Sequence, residues 1–111
     1  MAQKRPWEVP DELWDRVRLL LPTAPRRYRN PGRKRLDDRK ALCGVLFVLH
    51  TGLPWERLPQ ELGYGSGVTC WRRLRDWQRA RAWPQVREVL EPGLGTDGVF
   101  DWDRADDSAA A

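Results

Sequence analysis

The stretch 36–83 constrains the fold most. Its apolar residues recur at helical spacing, and glycine and proline interrupt this pattern twice. A broadly apolar run predicts a central helix that begins at Asp37 or Asp38 and ends near Thr51. Gly52 suits the left-handed position after such a helix. This helix should form the core of the domain.

A short helix, a glycine-rich turn and a longer helix are predicted next. The short helix should start at Pro54, and Pro59 should interrupt or end it. Ser66 suits the N-cap of a helix over about 67–82. This order predicts an all-α fold, a small helical bundle with a helix-turn-helix over about 54–82.

The helix over about 67–82 combines an apolar seam with arginine elsewhere. The predicted seam steps by three residues through Val68, Trp71, Leu74 and Trp77, with Cys70 beside them. The rest of the circumference carries the candidate DNA-binding residues Thr69, Arg72, Arg73, Arg75 and Arg79. The DNA major groove admits a helix, and arginine pairs with guanine there, so we expect a recognition helix. The alternative is a solvated amphipathic helix.

A basic arm over 23–35 precedes the central helix. It holds three structural breakers and six basic residues, among them the candidate DNA-binding residues Arg33, Lys34 and Arg35. We expect a loop that lies along a phosphate backbone or enters a minor groove. A solvated charge run without a partner is the alternative.

The charge is unevenly distributed along the chain. Residues 94–111 hold five acidic residues against one arginine, a balance of −4, whereas residues 1–93 carry +8 from nineteen Lys/Arg against eleven Asp/Glu. The positive part therefore coincides with the predicted helices and the arm.

The expected organisation is a flexible N-terminus (1–10), a helical DNA-binding domain (11–92) and a disordered acidic tail (93–111). A packing helix is predicted over about 11–21 and a short amphipathic helix over about 84–91. A chain of 111 residues allows one such domain.

Several classes of site are not favoured. Cys43 and Cys70 lack metal-ligand spacing and should be buried thiols, and His50 is the single histidine. The segment 63–67 (GYGSG) lacks the ending of a phosphate loop. We expect no cofactor, no metal and no membrane segment, and a cytoplasmic, nucleoid-associated protein.

The seven tryptophans should mainly anchor the core, with base stacking by one or two as the alternative.

Four sequence segments together resemble a known protein family: LWDRVRLLLP, GRKRLDDRKALCGVLFVLHTGLPWERLP, LGYGSGVTCWRRLRDWQRARAW and FDWDRA. They are similar to the N-terminal region of bacterial insertion-sequence transposases of the DDE class, and the run Thr51–Pro59 is the most specific. The resemblance implies recognition of terminal inverted repeats. It places DNA contacts at Arg33, Lys34, Arg35, Thr69, Arg72, Arg73 and Arg75, and scaffold roles at Trp55, Leu58, Trp71 and Trp77.

The resemblance also bears on catalysis. In this family the first catalytic aspartate lies shortly after the phrase found here at Asp101–Ala105, so Asp106 or Asp107 could imitate it. Strand transfer by two metal ions needs several carboxylates on one rigid scaffold. We therefore expect a non-catalytic first-frame or truncated product, in which the tail starts a missing catalytic domain.

The leading hypothesis is a DNA-binding part of a transposase, with double-stranded DNA of the inverted repeats as its partner. Pairing as a homodimer or with a separately encoded catalytic half is a further expectation. Alternatives are a small helix-turn-helix transcriptional regulator and an interaction subunit for that catalytic half.

Overall fold

The computed structural model describes residues 5–22, 36–94 and 100–107. These ranges contain only helices and turns, which confirms the all-α prediction. The α-helices are α1 (Asp11–Val17), α2 (Asp38–Thr51), α3 (Gly67–Arg79), α4 (Trp83–Leu94) and α5 (Trp102–Asp107), with 3₁₀ turns at Trp55–Arg57 and Gln60–Leu62. No described helix has the length and apolar character needed to span a membrane.

The central helix α2 is the core of the bundle, as predicted. Every residue from Ala41 to Leu49 is buried. Its N-cap is Asp37, and Gly52 ends it in the left-handed conformation with φ of 76°. α2 packs against α3 on one side and α5 on another, which explains why its apolar residues surround the whole helix.

A close approach of α2 and α3 depends on Gly44. A Cβ at this position would lie 2.5 Å from the Cys70 sulfur and 3.2 Å from the Cβ of Tyr64. The cost of a glycine within a helix, roughly 1 kcal/mol relative to alanine, is therefore offset by close helix packing. Cys70, Leu74 and Trp77 of α3 are fully or almost fully buried beside it.

The N-terminal region differs from the prediction in two ways. The first helix ends at Val17 and continues as a turn, rather than reaching Leu21. Within the N-terminus predicted to be flexible, two side chains pack on the core: Val9 is 3% exposed, and the Trp7 ring meets Phe47 edge-on at 4.8 Å. Packing of the Trp7 ring against Phe47 removes apolar surface from water, and this burial stabilises the contact.

The connection before α3 also differs from the prediction. The short helix expected from Pro54 is replaced by the two 3₁₀ turns, separated by Pro59. The α-helix that precedes α3 is therefore α2. A Cβ at Gly67 would overlap the carbonyl oxygen of Trp55, so the first 3₁₀ turn directly abuts the start of α3.

The predicted disordered tail is corrected over residues 100–107, which contain α5. Phe100 and Ala105 are buried on the core, and the Asp101 amide donates to the Leu49 carbonyl at 3.0 Å. The Arg104 guanidinium donates to the carbonyls of Leu53 at 2.7 Å and Val48 at 3.3 Å. Arg104 thus ties α5 to the last turn of α2 and to Leu53 just after it, where the Val48 carbonyl also accepts from the Gly52 amide.

Candidate nucleic-acid interface

The two sides of α3 have different chemistry. The inner side, buried on α2 and its surroundings, consists of Cys70, Arg73, Leu74 and Trp77. The outer side carries four residues spaced four, three and four apart, which places them along one line of the helix. We call this line, Val68, Arg72, Arg75 and Arg79, the outer stripe.

Arg73 belongs to the fold, which corrects its prediction as a DNA-binding residue. Its side chain is 6% exposed and donates to the Asp38 carboxylate at 2.6 Å. It also donates to the Leu36 carbonyl at 2.9 Å. These contacts join α3 to the start of α2, and they leave Arg73 unavailable to a ligand on the outer side.

The predicted apolar seam of α3 is also wrong at its first two positions. Val68 is 48% exposed, and Trp71 is half-buried at the edge of the helix. Residues advance about 100° around a helix, so three steps of three carry the line from Val68 to the opposite side at Trp77. The buried line instead runs through Cys70, Leu74 and Trp77.

The arginines of the outer stripe face solvent to different degrees. Arg72 and Arg79 are exposed, and neither makes an ion pair within the part of the chain that the structure describes. The half-buried Arg75 guanidinium lies over the Trp71 ring, 4.7 Å from its centroid. A cation held against an aromatic face loses conformational freedom before any partner binds.

The start of α3 is fixed by capping. Ser66, predicted as N-cap, accepts a hydrogen bond from the Thr69 amide at 3.1 Å. The two hydroxyls lie 2.9 Å apart. Thr69, a predicted DNA-binding residue, is thus half-buried and engaged in the cap, although its hydroxyl retains capacity to hydrogen-bond elsewhere.

The predicted contacts in the basic arm, Arg33, Lys34 and Arg35, lie outside the described residues. The residues that follow the arm, Leu36 and Asp38, are the acceptors for Arg73. Leu36, the first described residue after the arm, therefore lies against α3.

The remaining candidate chemical groups are structural. Cys43 and Cys70 are free buried thiols, as predicted. Burial raises the pKa of Cys43, and it raises the pKa of Cys70 to about 11, against a lowering influence of Arg73. Both thiols stay protonated near neutral pH and are poor nucleophiles. In residues 5–22, 36–94 and 100–107, no group of three His, Cys, Asp or Glu could hold a metal ion.

The core-anchor prediction for the tryptophans is confirmed at Trp77 and Trp83, which are 1% and 2% exposed. Trp7, Trp14, Trp55 and Trp102 are partly buried against the core. The Trp55 ring lies under the Arg104 guanidinium, 5.7 Å from its centroid.

Two comparisons relate the chain to known proteins. The family model described as "Putative transposase of IS4/5 family (DUF4096)" matches residues 9–87. The "Insertion element IS402 uncharacterized 16.2 kDa protein" of Burkholderia cepacia is 53% identical over 98 residues, covering 87% of this chain and 67% of that protein. No solved structure matches the chain.

Proposed function

The chain belongs to this IS4/5 transposase-related family, and from that membership we propose that it is a DNA-binding part of an insertion-sequence transposase. As proposed, it recognises the terminal inverted repeats of its element through α3 and the basic arm. The outer stripe is the observation that carries the proposal.

The outer stripe suits the major groove in both shape and charge. A single exposed helix face fits the groove, and Arg72, Arg75 and Arg79 present guanidinium groups along it. Arg72 and Arg79 make no ion pair within the described ranges, so both guanidinium groups could bind DNA without giving up such a contact. Each bidentate contact with guanine contributes about 1–3 kcal/mol of discrimination.

Arg33, Lys34 and Arg35 of the arm have a second, less specific role in the proposal. They would neutralise phosphates beside the groove that α3 occupies, since the arm joins the described structure at Leu36. Phosphate contacts set position and give salt dependence, whereas base contacts give sequence preference.

The proposal assigns no catalysis to this chain by itself. Asp101, one of the acidic residues near its C-terminal end, accepts the Arg104 amide at 3.1 Å and so caps α5. We propose that the protein occupies element ends in the cytoplasm, associated with the nucleoid. Magnesium-dependent cutting by purified chain, free of contaminating nuclease, would contradict this part.

The test compares two triple variants of the full chain. Arg72→Ala/Arg75→Ala/Arg79→Ala removes the cations of the outer stripe. Arg5→Ala/Arg16→Ala/Arg18→Ala removes the same charge from the N-terminal segment and the α1 region. Binding is measured on a repeat duplex, which carries the terminal inverted repeat of the encoding element, and on a scrambled duplex of equal composition.

The outer-stripe variant should lose at least about fivefold of the preference for the repeat duplex, the equivalent of one base contact at about 1 kcal/mol. The control variant should keep the preference, even where its overall affinity falls with charge. An outer-stripe variant that keeps the full preference would overturn the assignment. A wild-type preference for the chain's own promoter instead would favour the transcriptional-regulator alternative.

A further inference from the structure

The outer stripe begins with an apolar residue that the fold does not use. Val68 is 48% exposed and, with Leu19 at 76%, is one of two large exposed hydrophobic residues in the described ranges. A β-branched side chain on an exposed helix face is slightly unfavourable for the helix because its rotamers are restricted. The stability of α3 therefore gives no reason for valine at this position.

Val68 is held in a defined position at the start of α3. The preceding Ser66 caps the helix, and Gly67 abuts the Trp55 carbonyl so closely that a side chain there would collide with it. Arg72 lies one turn further along the same face. A fixed methyl-bearing group and a long cation thus point outward together.

The residues around Val68 indicate which kind of partner would contact it. The outer stripe carries three arginines beside Val68 and no acidic side chain, and this positive charge complements the phosphates that flank the major groove. In that groove the C5-methyl of thymine is the apolar group among the base edges, and it lies beside hydrogen-bonding groups that arginine can contact.

We propose that Val68 is a specificity-determining residue that contacts the 5-methyl group of a thymine, within two base pairs of a base contacted by Arg72. The inference rests on the proposed function and deepens it by naming a base feature that is read. The first turn of a recognition helix is the part that commonly meets base edges. Arg72 supplies attraction and orientation, and Val68 excludes base pairs that present a polar group at its position.

The experiment removes the methyl group without altering base pairing. Each thymine of the repeat duplex is replaced in turn by uracil, and affinity is measured for the wild-type chain, Val68→Ala and Leu19→Ala. At one position, uracil should weaken wild-type binding by about fourfold, the value of one buried methyl-sized group. Leu19→Ala should show the same loss, because Leu19 precedes the arm and lies outside α3.

Val68→Ala should bind the thymine and uracil duplexes equally at that position. 5-Bromouracil, which fills the space of the methyl group, should restore wild-type affinity. If the repeat duplex is preferred but no uracil changes wild-type affinity, or if Val68→Ala still discriminates, the role of Val68 is wrong and the proposed function stands. If no preference for the repeat duplex exists, both fail.

Discussion

Arg72 and Arg73 are neighbours in the sequence but occupy different sides of α3 with different surroundings. Arg72 is exposed in the outer stripe, whereas Arg73 is buried and bound to Asp38 and Leu36. The same residue type therefore has two roles: arginine stabilises the bundle at position 73 and is available to a ligand at position 72. The helix turns by about 100° from one residue to the next, so Arg73 faces inward, where it meets Asp38, 35 residues earlier in the chain.

The largest expected effect separates these two arginines by stability. Arg73→Ala should lower the free energy of unfolding by about 2–4 kcal/mol, because it removes a buried side chain together with its ion pair to Asp38 and its hydrogen bond to the Leu36 carbonyl. Arg72→Ala should change it by less than about 0.5 kcal/mol, as expected of an exposed position. Urea unfolding of both variants at neutral pH measures the difference.

Equal free energies of unfolding for the two variants would show that Arg73 stabilises the bundle no more than Arg72 does. Asp38→Asn offers a check, since it keeps the shape of the acceptor and removes its charge. It should also destabilise the chain, because it leaves the Arg73 guanidinium, which is 6% exposed, without the charge of its partner.

A smaller effect tests the packing that places the inner side of α3 on α2. Gly44→Ala should cost about 1–3 kcal/mol by overpacking, because the new Cβ meets the Cys70 sulfur at 2.5 Å. Cys70→Ala removes that sulfur. The double variant should therefore be more stable than the sum of the single effects predicts.

Additive effects in that double-mutant cycle, measured by thermal unfolding, would show that α2 and α3 are not in contact at Gly44. Gly52→Ala is a useful reference, since a Cβ there has open space around it and meets only the strain of its left-handed backbone.

The sequence predicted the elements whose signals are local. The start and end of α2 were readable from its acidic first turn and Gly52, and the start of α3 was readable from Ser66. The end of α3 was less clear because the left-handed residue after it is Arg81, with φ of 60°, where glycine is the usual signal.

The side to which each α3 residue belongs was harder to predict. Steps of three match a helix over one turn but drift away from the buried face over longer stretches. Val68 was therefore assigned to the core and Arg73 to the ligand side, and the structure reverses both. Composition alone does not distinguish Arg73 from Arg72, because burial of Arg73 depends on a tertiary partner.

The C-terminal segment shows the same limit. Its few apolar residues gave little reason to expect order, yet Phe100 and Ala105 are buried, and Arg104 donates to the carbonyls of Val48 in α2 and Leu53 after it. Such a short segment is ordered by a surface formed elsewhere in the chain, which local sequence patterns do not reveal.

The central claim is that the outer stripe, and not the inner side of α3, meets DNA. The most direct measurement follows the arginine Nε–Hε signals of the ¹⁵N-labelled chain by NMR as the repeat duplex is added. The signals of Arg72, Arg75 and Arg79 should shift at DNA concentrations that leave the signal of Arg73 in place. A large shift at Arg73 with no change at the other three would contradict the account.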